Sequence, residues 1–273
     1  MIREQFGYVT KEDYYNGSRW GSLWKKITGN IPLRHHSSTF FTVDEIINHQ
    51  PTSLGIVAYS LFGDGKVERF RKKLLNPLFQ NAKKLKAMLP TWSGRIYICS
   101  SIPSHIKEEL VQSGYELFVM PLPLSEEGYA WRFLAAEEGK PVVFHDADML
   151  LDDKFLEIVT NWLSGDKLFL RRKLTGDNYI GVPISAGCWG VRPYNGKSPL
   201  WDIKKNLEKH VFEGFGSDEA FLTKEIWPIM KKEGYYSTQE RWFVWIVPTI
   251  CIIVFAMIVT WAIIWYRKRK IHS

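Results

Sequence analysis

KPVVFHDADMLL, Lys140 to Leu151, shows what kind of fold the chain makes. Its apolar run Val142 to Phe144 is short and β-branched, as in a buried strand. The run ends at two carboxylates, Asp146 and Asp148. An apolar strand that stops at acidic residues fits a sheet whose carboxyl ends open into a ligand crevice.

The flanking segments supply the rest of that sheet. LGIVAYSLFG (Leu54 to Gly63) is a second short, glycine-bounded apolar run, and RIYICSS (Arg95 to Ser101) and YELFVMPLP (Tyr115 to Pro123) read as two more strands. A basic helical stretch from about Lys66 to Met88 separates the first two, with apolar residues at Phe70, Leu74, Leu75, Leu78, Leu85 and Met88. IPSHIKEELVQSG forms the next helix, with Ser104 as its N-cap and Gly114 as its stop, and WRFLAAEE a third. Strands alternating with helices predict an α/β fold, a mainly parallel sheet with helices on both faces. Residues Met1 to Leu54 lack sustained periodicity and read as an irregular lead-in with one short helix near Val43 to Asn48.

The formal charge of +7 invites a nucleic-acid reading, but five basic residues lie from Arg241 onward, where no acidic residue occurs. Without them 31 basic residues face 29 acidic ones, a body of +2, so no nucleic-acid partner is expected. Cys99, Cys188 and Cys251 are far apart and form no C-x-x-C, which argues against a disulfide framework or a thiolate metal site.

WFVWIVPTICIIVFAMIVTWAIIWY, Trp242 to Tyr266, is 25 residues without a charge, longer than the roughly 20 that cross a bilayer core as a helix. Trp242, Trp245, Trp261, Trp265 and Tyr266 lie near its ends, where amphipathic rings prefer the headgroup level, and a membrane helix tolerates Pro248. The expected organisation is a lead-in over 1–54, a catalytic domain over 55–235, a transmembrane helix over 242–266 and a basic tail over 267–273. The positive-inside rule would place Arg267 to Lys270 in the cytosol. MIREQFGYVTKEDYYNG offers no apolar core for a secretory signal, so the expectation is a single-pass C-terminal anchor with a cytosolic catalytic domain.

In extended geometry residues i and i+2 point the same way, so Asp146 and Asp148 can share one cation and a diphosphate. Mg²⁺ or Mn²⁺ binds through one or two carboxylates plus substrate phosphates. By itself a D-x-D serves more often as a turn or helix cap.

From Leu54 to about Met230 the chain carries, in order, VAYSLFGD, WSGRIYI, WRFLAAEEGKPVVFHDADMLL, SAGCWGVRP and GSDEAFLTKEIWP. This ordered set resembles a family of short glycosyltransferase-like proteins with a GT-A-type nucleotide-diphospho-sugar fold, over about two thirds of the chain. His145 stands where an arginine is expected and Cys188 where methionine is more usual. The resemblance implies sugar transfer from a nucleotide-diphosphate donor to a glycan, lipid or protein acceptor, with Asp146 and Asp148 holding Mn²⁺ or Mg²⁺.

The remaining candidates divide between ligand and scaffold roles. Asp218 and Glu219 begin an apolar helix after a glycine-rich turn, where they either complement the helix dipole or face the acceptor hydroxyl as catalytic carboxylates. The family motif favours Asp218. Trp189, among small residues in ISAGCWGVRP, is a sugar-stacking platform or a core anchor. Tyr59 and Ser60 are candidates for base and ribose, Arg132 for the diphosphate, and His210 for a further metal ligand. Two other readings compete: a phosphatase using the first aspartate of its D-x-D as nucleophile, although Met149 and Leu150 follow the pair, and a non-catalytic, membrane-tethered sugar-nucleotide-binding module.

Overall fold

The computed structural model describes residues 38–63, 68–123, 127–172, 183–212 and 216–238, together with Met257. The chain divides into two units, Met1–Ser237 and Thr238–Ser273. The expected membrane helix lies outside the described residues apart from Met257, which is helical and exposed. Among the described residues no helix is long and apolar enough to cross a membrane.

The strands are β1 (Glu45–Ile47), β2 (Gly55–Leu61), β3 (Trp92–Cys99), β4 (Tyr115–Met120), β5 (Val142–His145), β6 (Phe169–Arg172), β7 (Cys188–Val191) and β8 (Tyr235–Thr238). They form one sheet in the order β1-β4-β3-β2-β5-β7-β6-β8. β2 pairs in parallel with both β3 and β5, and β3 with β4, whereas β1–β4, β5–β7 and β6–β7 are antiparallel. The sheet is therefore mixed around a parallel core of four strands. From β2 the chain winds outward through β3 and β4, then returns to the other flank of β2 as β5. The winding reverses between the carboxyl ends of β2 and β5, the position where open α/β sheets form their ligand crevice.

The alternation of the strands sorts the packing. Ala58, Ser60, Arg95, Tyr97, Glu116, Phe118, Phe144 and Trp189 share one face, as their cross-strand register requires. A 3₁₀ segment, Trp131–Glu137, covers that face, with Phe133 edge-on to Phe144 5.5 Å away. Tyr59 and His145 project to the opposite face. There Tyr115 donates from its hydroxyl to the Leu78 carbonyl (2.7 Å) in helix α1 (Asn76–Met88), and Phe155 of helix α2 (Asp153–Ser164) meets the His145 ring edge-on. The 68–88 stretch is helical, with a π-turn at Arg71–Leu75.

Two local expectations need correcting. Val43 to Asn48 contains strand β1, an antiparallel edge on β4, because pairing with an exposed sheet edge outweighs weak helical propensity in so short a segment. Ser104 makes no side-chain cap; Pro103 holds the cap position ahead of Ser104–Gln112, while Gly114 ends that unit at φ +97°. WRFLAAEE is helical as expected, in the tighter 3₁₀ form over Trp131–Glu137.

One buried ion triad ties the 3₁₀ segment to the sheet. Arg95, fully buried on β3, donates to Glu116 (2.9 Å) and to Glu138 (2.5 Å), just beyond that segment, and stacks 4.1 Å over the Phe118 ring. Arg95→Met should cost about 3–5 kcal/mol, because Glu116 is left charged and uncompensated in the interior. Urea melts should show that loss, and Arg95→Met/Glu116→Leu should recover most of it. Equal stability of single and double variants would contradict this account.

Candidate functional site

Asp146 is the first residue past β5, at the reversal of winding. The chain turns there: Met149 donates its backbone N–H to the Asp146 carbonyl (3.2 Å), Ala147 is buried and Asp148 exposed. The two carboxylates thus do not project side by side from an extended strand, as expected, but flank a turn. They still feel each other, since burial and then the Asp146 charge push the Asp148 carboxyl above its usual range.

Helix α1 holds this turn from behind. Fully buried Asn81 donates from Nδ2 to the Met149 carbonyl (2.8 Å) and accepts from the Leu151 N–H (2.8 Å), and Lys84 donates to the Leu151 carbonyl (2.6 Å). The sequence carries a signal for Asn81, a polar residue on the buried stripe between Leu78 and Leu85. Asn there is costly unless its amide is fully used.

Arg132 is the hub. Its backbone N–H donates to Ser60 Oγ (3.0 Å), and that hydroxyl donates to the Tyr129 carbonyl (3.3 Å), fastening the 3₁₀ segment to the end of β2. Its guanidinium, 4% exposed, reaches Asp146 Oδ1 at 2.6 Å and Asp218 Oδ2 at 3.3 Å. Asp218 lies in the first turn of Ser217–Phe221, and its Oδ1 accepts from the Glu219 N–H (3.0 Å). Above Asp146 runs the backbone of Gly187, so close that a Cβ would overlap the carboxylate.

Ser60, Arg132, Asp146, Asp218 and Glu219 therefore come together, while two other candidates, Tyr59 and Trp189, do not join them. Tyr59 is fully buried on the opposite face, its ring edge-on to Tyr115 and His145, because strand neighbours point to opposite sides; only Ser60 can face the crevice. Trp189 is fully buried and stacked on Phe144 with 4.1 Å between centroids, a core anchor and not a sugar platform. His210 packs edge-on against Phe212 and Phe221, and among the described residues no three His, Cys, Asp or Glu side chains converge as a metal-binding group. His145 hydrogen-bonds the Asp146 carbonyl oxygen through Nδ1 (3.0 Å), and burial lowers its pKa to about 4, so it stays neutral.

The carboxylates are tuned apart. Burial raises Asp218, against the pull of Arg132. Glu219 is pushed up to about 7, first by burial and then by the charges of Asp218 and Asp146. A carboxyl raised from 4.5 to about 7 on folding keeps its proton in the native state, so stability falls as pH rises between those values and levels off above them. Glu219→Gln, which cannot ionise, should gain melting temperature over the parent at pH 8 but not at pH 4. A constant difference across that range would mean Glu219 titrates normally.

No family model matches this chain, and no curated protein matches it.

Proposed function

We propose that the chain is a membrane-anchored glycosyltransferase with a GT-A-type domain, moving a sugar from a nucleotide-diphosphate donor to an acceptor hydroxyl with the help of Mn²⁺ or Mg²⁺. The observation that carries this reading is the cluster of Asp146, Asp218 and Glu219 around buried Arg132, at the reversal of winding between β2 and β5. The uncharged run 242–266 is its anchor, and the catalytic domain faces the cytosol.

Asp146 and Asp148 suit a hard divalent cation. Both are oxygen ligands, their like charges repel each other, and two carboxylates are enough when substrate phosphates complete the shell. Such a cation, when bound, neutralises charge on the departing diphosphate. Arg132 holds the Asp146 carboxylate in one orientation and offsets its charge together with that of Asp218. Glu219 takes the proton of the acceptor hydroxyl, because a base is most effective with a pKa near the working pH. Asp218, buried against Arg132, positions that arginine.

The test is a melting screen of the full chain in detergent against nucleoside-diphosphate sugars, with and without Mn²⁺. A donor at 100 times its Kd should add about 2.7 kcal/mol to native stability, and only when metal is present. No shift with any donor would end the reading. Release of inorganic phosphate from monoesters would favour the phosphatase instead.

A further inference from the structure

The positive charge of the body sits in one place. Arg69 to Met88 contains seven basic residues and no acidic one; outside it, the body up to Glu240 has 24 basic against 29 acidic residues, a net of −5. The structure turns that stretch into a helical face. Leu75, Leu78, Asn81 and Leu85 are buried against the sheet, while Lys72, Lys73, Lys83 and Lys86 are exposed. Among the described side chains Arg71 is engaged by Glu109 (2.7 Å) and Lys84 by the Leu151 carbonyl, which leaves the four exposed lysines as the charge presented outward.

We propose that this face docks the body on the anionic headgroups of the bilayer that anchors the chain, an inference that rests on the membrane-anchored reading above. The fit is electrostatic and not insertional, because the apolar side of the helix is spent on the core; each basic residue held near an anionic leaflet strengthens binding roughly fivefold. Nucleic acid is the less suitable partner, since a tethered body meets lipid continuously. The same helix buttresses the acidic turn through Asn81 and Lys84, and the charge of Lys73 is felt at Asp148. Docking would therefore bring the proposed donor site next to the headgroups and favour an acceptor that is itself lipid-linked.

The full chain should be reconstituted into nanodiscs of phosphatidylcholine alone or of phosphatidylcholine with phosphatidylglycerol, and its lysines acylated with a water-soluble reagent and read by mass spectrometry. Lys72, Lys73, Lys83 and Lys86 should label several-fold more slowly in the anionic discs, with the protection fading at high salt as screening shortens to about 3 Å at 1 M. Exposed Lys205 and Lys209, next to the 3₁₀ segment on the other face of the sheet, should label alike in both. Equal labelling of the four lysines in both discs overturns the docking face while leaving the anchor intact. Flotation of the chain with neutral vesicles tests the anchor separately. Lys72→Gln/Lys83→Gln/Lys86→Gln, which changes only exposed side chains, should float equally well but lose the difference at Lys73; if the difference persists, the proposal also fails.

Discussion

Asp146→Asn should abolish metal-dependent donor binding and lower turnover by at least about 100-fold, a loss that even outer-shell partners of metal ligands can produce. The change keeps size and most hydrogen bonding but removes the charge a hard cation requires. It also weakens the 2.6 Å pair with Arg132, so the native state should lose about 1–3 kcal/mol, the scale of a charge-assisted hydrogen bond. Asp148→Asn should have the same functional effect with the opposite stability effect. The Asp148 carboxyl is raised by desolvation and then by the Asp146 charge, so removing its own charge relieves both and leaves melting unchanged or higher. Donor titrations with Mn²⁺ and melts of the two variants check both halves. If Asp146→Asn still binds donor as the parent does in metal, the acidic turn is structural and the glycosyltransferase reading loses its support.

The parallel core was legible because its strands are mainly apolar runs bounded by glycine, proline or charge, so length and composition marked β2 to β5 even though β3 carries Arg95 and β4 carries Glu116. Strand β1 was not, because Glu45–Ile47 is a three-residue exposed edge whose conformation is set by β4 and not by its own residues. The antiparallel β7 was hidden for a similar reason: small residues surround Trp189 in ISAGCWGVRP, and pairing with β5 and β6 is what makes Cys188–Val191 a strand. Within the site, residue type identified Asp146, Asp218 and Arg132, but strand parity decided which aromatic residues could join them. Parity was available in the sequence: if Ser60 faces the crevice, Tyr59 cannot. The partners of Arg132 are 14 and 86 residues away, and separations of that kind are invisible to any local pattern.

Gly187→Ala should be the most damaging methyl group in the site. Its Cβ would overlap the Asp146 carboxylate, and that carboxylate cannot swing aside without giving up Arg132, which is itself fixed by Ser60 and Asp218. Overpacking of this kind costs about 1–3 kcal/mol. The functional loss should be larger in proportion, since displacing a reacting group by about 1 Å can cost 100-fold in rate. Gly165→Ala supplies the control, because the added Cβ there meets only ordinary contacts at 3.5 Å and beyond. A stability cycle locates the cause. In an Asp146→Ala background the obstructing carboxylate is gone, so Gly187→Ala should become nearly neutral, with a coupling within the range of about 0.5–3 kcal/mol found for contacting residues. Additive effects of the two changes would mean that the 187 backbone is constrained by something other than Asp146, and the close approach would then have no part in shaping the site.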